Sequence, residues 1–111
     1  MKKLAAILMA AVALGCPPPQ TLRAEHVLTG VAGPPQSGAV RIVMEGGALG
    51  ASYEEVAIVS ATGWSSDATL PAVLGALQGE AAGIGCDAVI HVRFEQGSQM
   101  AAATGVAVRT K

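Results

Sequence analysis

The stretch DAVIHVRFE, residues 87–95, decides the fold because polar and apolar side chains alternate along most of it. A period of two is typical of a β-strand with one buried face. The pattern predicts an apolar face and a polar face, made respectively of Ala88, Ile90, Val92 and Phe94 and of Asp87, His91, Arg93 and Glu95. The segment 104–110 (TGVAVRT) follows after a short loop. It is predicted to pair back as the second strand of a C-terminal hairpin, with Val106 and Val108 inward.

An amphipathic helix is predicted just before this strand. Apolar residues recur there at helical spacing, namely Leu70, Val73, Leu74, Leu77, Ala81 and Ile84. Thr69 or Asp67 can cap the N-terminus, and Pro71 is tolerated in the first turn. Gly83 or Gly85 can end the helix in a left-handed conformation.

Two further strands are predicted upstream of the helix. Residues 55–61 (EVAIVSA) form a nearly continuous apolar run, and residues 39–45 (AVRIVME) alternate. The order is therefore β-β-α-β-β. We expect a small α+β domain at 39–111, with one helix packed on a mixed or antiparallel sheet. Residues 22–28 fit either a turn of helix or an extra edge strand.

The N-terminus has the features of an export signal. Lys2 and Lys3 precede the uncharged apolar run 4–14, which at about 1.5 Å per residue is too short to cross a bilayer. Residues 13–16 (Ala-Leu-Gly-Cys) resemble a bacterial lipobox. The resemblance implies a signal peptide at 1–15, cleavage after Gly15 and acylation of Cys16. The alternative is an ordinary secretory signal in which Cys16 has no special role.

Residues 16–38 are predicted to be the acylated cysteine followed by a tether. The segment holds two clusters of proline and several glycines, which disfavour regular structure. The residue directly after the cysteine is Pro17 rather than an aspartate. In lipoproteins this absence indicates sorting to the outer membrane, so we expect a lipid-anchored protein facing the periplasm.

Composition excludes several classes of protein. The chain has 111 residues, of which 3% are aromatic and 14% are charged, which suits one small domain rather than a multi-domain enzyme. Seven Lys and Arg residues stand against eight Asp and Glu residues, a net charge of −1. With no basic cluster, the chain lacks the electrostatic footprint of nucleic-acid binding.

The stretch 77–109 resembles the C-terminal half of YbjQ-type domains. The matching residues are Glu80, Ala81, Gly85, Asp87, Ala88, Val89, Ile90, Val92, Arg93, Phe94, Gly105, Ala107 and Val108. The resemblance implies an α+β fold, heavy-metal binding and ring-shaped oligomers. The layout of lipobox, tether and small domain is similar to RcsF-like lipoproteins, which are envelope stress sensors. Their domain holds two disulfides, whereas this chain has two cysteines in all.

Few residues suggest chemistry. Cys86 and His91 are the weak candidates for metal ligands, but a structural zinc site needs four ligands. The simpler interpretation makes His91 a polar strand residue and Cys86 a half-buried thiol, unless Cys86 forms an intermolecular disulfide. Tyr53 and Trp64 either mark a partner surface or pack over the ends of a strand.

No catalytic residues and no cofactor are predicted. The sequence thus favours a non-catalytic interaction or sensor module of the cell envelope. It would bind the bilayer through acylated Cys16, and an envelope protein or further copies of itself through the domain. The alternative is an oligomeric metal-binding protein.

Overall fold

A computed structural model describes residues 21–111. The predicted signal peptide 1–15, the cleavage after Gly15 and the acylated Cys16 lie outside the described residues. Within them the elements are β1 Leu22–Leu28, β2 Arg41–Met44, β3 Tyr53–Trp64, a 3-10 turn Ser65–Asp67, α1 Leu70–Gly83, β4 Ala88–Gln96 and β5 Met100–Thr110.

The strands form one mixed sheet in the order β1-β3-β5-β4-β2. β2 runs parallel to β4, and the other neighbouring pairs are antiparallel. α1 packs on one face of this sheet, and β4 and β5 form the C-terminal hairpin. The predicted α+β class is confirmed.

The helix begins and ends as its sequence indicates. Thr69 is the N-cap, and its hydroxyl accepts a hydrogen bond from the backbone N–H of Ala72 at 3.3 Å. At the other end Gly85 has φ +85°. The backbone N–H groups of Gly85 and Cys86 donate to the carbonyls of Ala82 and Ala81, which closes a Schellman motif. Of the two glycines considered, Gly85 supplies the left-handed residue.

Part of the segment assigned to the tether joins the domain, and the edge-strand alternative for residues 22–28 is confirmed. Residues 22–28 form the edge strand β1, paired with β3. After β1 the chain crosses the C-terminal end of α1, where the N–H groups of Gly33 and Gln36 donate to the carbonyls of Ile84 and Ala82. The side-chain amide of Gln36 also donates to the carbonyl of Cys86 at 2.8 Å. The domain boundary at residue 39 was therefore placed too late.

The core between helix and sheet is built on small residues of the central strand. Along β5 the positions that face α1 are Ala101, Ala103, Gly105 and Ala107. Val73, Leu77 and Ala81 of the helix are fully buried against the sheet. Small side chains on the middle strand let the helix and the neighbouring valines approach closely, which a core poor in aromatic residues requires.

A β-bulge in β4 changes which residues face the helix. The pairing of β4 with β5 shifts between Ile90 and Arg93, and His91 has φ +55°. Val89 and Val92 therefore both belong to the helix-side core, although three positions separate them. Ala88 and Ile90 instead belong to a second cluster on the opposite face.

One predicted burial pattern is corrected by this bulge. The apolar face of Ala88, Ile90, Val92 and Phe94 is wrong, because the extra residue moves the latter two to the helix side. Val108 is fully buried and Val106 is partly buried, but both lie on the face opposite α1, in the second cluster. That cluster is covered by Leu49, whose carbonyl accepts a hydrogen bond from the Arg41 guanidinium at 3.2 Å.

Gly105 lies beneath the bulge, and we expect it to tolerate no side chain. A Cβ there would lie 2.6 Å from Val89 Cγ1 and 3.0 Å from Val92 Cγ2. Gly105→Ala should therefore lower the free energy of unfolding by about 1–3 kcal/mol, as overpacking does. Gly79→Ala is the matched control, because a Cβ there meets nothing within 4 Å. In the helix interior that change should stabilise by roughly 1 kcal/mol. Urea unfolding measures both variants, and equal effects of the two would contradict the packing described.

Candidate functional site

The face of the sheet that α1 leaves uncovered is the candidate site, and we call it the open face. Its side chains form three rows across β1, β3, β5 and β4, because residues opposite each other in neighbouring strands point the same way. Row A is Val27, Ile58, Val106 and Ile90; row B is Glu25, Ser60, Thr104 and Arg93; row C is Arg23, Thr62, Ala102 and Glu95.

Row A is apolar and grows more exposed from β4 towards β1. Ile90 is 3% exposed because it lies in the cluster that Leu49 covers. Ile58 is 51% exposed and Val27 is 66% exposed. Adjacent apolar side chains left in water on a regular surface are typical of a region that binds a partner.

Rows B and C are polar and carry charges at both ends. Glu25 and Arg23 project from β1, and Arg93 and Glu95 project from β4. A shallow hollow lies at the β4 end, lined by Arg93, Glu95, Ala102, Ala103 and Thr104. Arg93 Nε lies 3.5 Å from a carboxylate oxygen of Glu45, but both side chains are 62% exposed. An ion pair this exposed contributes little, so Arg93 stays free for another carboxylate.

The two residues singled out as metal ligands lie apart. Cys86 is fully buried in the helix-side core, and burial raises the pKa of its thiol, although the charge of Arg109 acts in the opposite direction. His91 is exposed at the bulge. Within residues 21–111, no three of the His, Cys, Asp and Glu side chains are arranged to hold a metal ion. An intermolecular disulfide through Cys86 would first require the core to open.

The two aromatic residues considered as a partner surface do not lie together. Tyr53 begins β3 and Trp64 ends it, so the rings lie at opposite ends of a twelve-residue strand. Tyr53 is 37% exposed and Trp64 is partly buried. The sequence interpretation that the rings lie over the strand ends fits these positions better.

A polar cluster that the sequence pattern did not indicate joins the C-terminus to the rest of the fold. The Asp87 carboxylate accepts hydrogen bonds from the backbone N–H of Thr110, at 2.9 Å, and from its hydroxyl. The Arg109 guanidinium contacts Glu54 at 3.0 Å and donates to the carbonyl of Val31 at 3.2 Å. These contacts hold the end of β5 against β3 and the crossing segment, so we assign the cluster a structural role.

A second unexpected contact ties β1 to the helix. His26 Nδ1 lies 2.5 Å from a carboxylate oxygen of Glu80. His26 lies on the helix side of β1, opposite in direction to Glu25 and Val27. The pair therefore fixes the edge strand without covering the open face.

The Asp87 cluster predicts a loss of stability in acid. Burial by itself raises the pKa of Asp87, but hydrogen bonds from Thr110 and the charge of Arg109 outweigh it, so the pKa lies below its ordinary 3.8. A lowered carboxyl pKa stabilises the fold above the unfolded-state pKa, and this contribution disappears as pH falls through the folded-state pKa. Urea midpoints should therefore fall below about pH 4, and Asp87→Asn should flatten that dependence. Glu55→Gln, which removes an exposed carboxylate outside the cluster, should leave it unchanged. An identical acid response of the two variants would contradict the assignment.

No helix within residues 21–111 has the length and apolar character needed to cross a bilayer.

Comparison with known proteins identifies no relative of this chain. The sequence matches no protein-family model, no curated protein and no solved structure at a significant level. The function is therefore argued from the residues themselves.

Proposed function

We propose that the protein is a membrane-anchored lipoprotein of the cell envelope whose domain is a non-catalytic interaction or sensor module. The observation that carries this proposal is the open face, where Val27 and Ile58 lie exposed beside two rows that end in charges. An apolar strip with a charged border suits the recognition of another protein surface. The open face is then the binding surface.

The lipobox at residues 13–16 supports the anchor, and the fold sets how far the domain extends from it. Since β1 begins at Leu22, five residues lie between that strand and Cys16, which makes six Cα–Cα steps. An extended chain covers at most about 3.6 Å per residue, so the fold would begin within about 22 Å of the bilayer. The module would therefore act on partners at or near the membrane surface.

The alternative of an oligomeric metal-binding protein has weaker support. It would rest on His91 and Cys86, and five positions along a nearly extended chain place them about 16 Å apart. Cys86 is moreover enclosed by the core. A shared metal ion would need ligands contributed by several chains.

The anchor is tested by the intact mass of the full chain recovered from the membrane fraction. We expect the mass of residues 16–111 plus acyl groups, because a lipobox directs cleavage before the modified cysteine. The Cys16→Ser variant should lack the acylated mass and leave the membrane fraction. An unmodified cleaved mass, unchanged in that variant, would instead make the protein a secreted soluble domain.

The binding surface is tested by replacing Ile58 with a photoreactive phenylalanine derivative in cells. We expect a covalent adduct from this position, because its side chain projects from the middle of the exposed strip. The same substitution at Gly79, on the solvent side of α1, is the control and should give none. Val106→Asp, next to Ile58 in row A, should reduce the adduct. Absence of an adduct at Ile58, or equal adducts at both positions, would contradict the proposal.

A further inference from the structure

The charges of the open face are arranged in opposite order in rows B and C. In row B the acidic residue Glu25 lies on β1 and the basic residue Arg93 lies on β4. In row C the basic residue Arg23 lies on β1 and the acidic residue Glu95 lies on β4. Three strand spacings of about 4.8 Å separate the two ends, so each row carries opposite charges about 14 Å apart.

This arrangement is complementary to itself under one symmetry operation. A two-fold axis parallel to the strands, placed between two facing sheets, exchanges the β1 and β4 ends and leaves each row opposite itself. Glu25 then faces Arg93 of the second copy, and Arg23 faces Glu95 of the second copy. Both pairs form twice, as an isologous interface requires.

The other two-fold axis for face-to-face packing is unfavourable. An axis in the same plane but perpendicular to the strands leaves the β1 ends opposite each other. If it passes through row B, Glu25 faces Glu25 of the second copy and Arg93 faces its own equivalent. Like charges directly opposed across an interface oppose association. Placed midway between rows B and C, the same axis would pair Glu25 with Arg23 and Arg93 with Glu95 of the second copy, but it would leave Val27 and Ile58 of row A with no facing row. The charges and the apolar row together therefore favour the axis that runs along the strands.

We propose that the partner of the open face is a second copy of this chain, packed face to face about an axis parallel to the strands. This inference rests on the proposed function, since it names an occupant for the same surface. The two sheets would form a sandwich, with aligned strands about 10 Å apart and α1 on each outer side.

The apolar row and the hollow fit the same arrangement. In row A, Ile58 would face Val106 of the second copy, and Val27 would face the loop whose Leu49 covers Ile90 of that copy. The two most exposed apolar side chains of the face would then leave water. The hollow between Arg93 and Glu95 lies opposite Arg23 and Glu25 of the second copy, so it provides room for those long side chains.

The size of the open face determines how strongly two copies are expected to associate. Three rows about 7 Å apart along each strand and four strands about 4.8 Å apart make a patch about 14 Å across in both directions between its outermost Cα atoms. This is smaller than the roughly 800 Å² per partner of a standard stable interface. We therefore expect a weak, concentration-dependent dimer, favoured when two copies are held in one membrane.

Charge reversal tests the pairing in full-length chains co-expressed with two different affinity tags. The wild-type copies should co-purify. Arg23→Glu should reduce co-purification about tenfold or more, because it opposes two carboxylates twice, and Glu95→Arg should do the same by opposing two guanidinium groups. Co-expression of an Arg23→Glu copy with a Glu95→Arg copy should restore it, since every facing pair is again of opposite charge.

Two controls separate this arrangement from others. Lys111→Glu makes the same charge change as Arg23→Glu outside the open face and should leave co-purification intact. Pairing of two β1 edges about Ala24 would place Arg23 opposite Glu25 of the second copy. In that case the double variant Arg23→Glu/Glu25→Arg would restore association, whereas Arg23→Glu/Glu95→Arg would not. Either that pattern or failure of the mixed copies to associate would overturn the face-to-face dimer.

The mass of the Ile58 photo-adduct distinguishes failure of this inference from failure of the proposed function. An adduct of twice the chain mass supports the second copy. An adduct of any other mass overturns the dimer but leaves the open face as a binding surface. No adduct at all overturns both.

Discussion

The fold depends on how closely its elements approach the central strand. Between residues 101 and 107, β5 presents only alanine and glycine to the helix, and it has β3 on one side and β4 on the other. Valines from these two neighbours, among them Val59, Val89 and Val92, fill the space that larger residues on β5 would occupy. Because the chain has one Phe, one Tyr and one Trp, the packing density of the core comes from the close approach of neighbouring backbones rather than from large aromatic side chains. A bulky residue on the helix side of β5 would therefore displace the helix and both neighbouring strands together.

The sequence predicted correctly those elements whose local residue pattern is kept in the folded protein. The cap at Thr69, the termination at Gly85 and the hairpin of β4 and β5 all follow from short-range chemistry that the fold retains. The bulge was missed because the alternation runs through His91 without interruption. A one-residue shift in pairing is set by the partner strand, where Gly105 leaves room for two valines, and the only sign of it in β4 is Val89, an apolar residue on the predicted polar face.

Local patterns left residues 22–28 open between a turn of helix and an edge strand, and they did not indicate the candidate site at all. β1 follows three prolines and precedes two more, so its composition favours a tether, but its pairing with β3 prevails over that preference. The open face joins residues as distant along the chain as Val27, Ile58 and Val106, and their alignment exists only once the strand order is known. Cys86 and His91 were singled out because soft ligands are rare in this sequence. The chemical type of a residue does not show whether it is buried, and in the fold Cys86 is buried whereas His91 is exposed.

The position of β1 has a consequence for how the domain opens. An edge strand has a ladder on one side only, so its release breaks fewer contacts than release of any interior strand. Of its residues, Leu22 and Ala24 pack against the core and both are only partly buried, while Thr21 and His26 add polar contacts to Asp67 and Glu80. The chain beyond β1 is held separately, at Gly33 and Gln36. β1 is therefore a unit of low local stability whose unfolding leaves the helix-covered core intact, and any tension transmitted along the chain from its N-terminal side reaches this unit first.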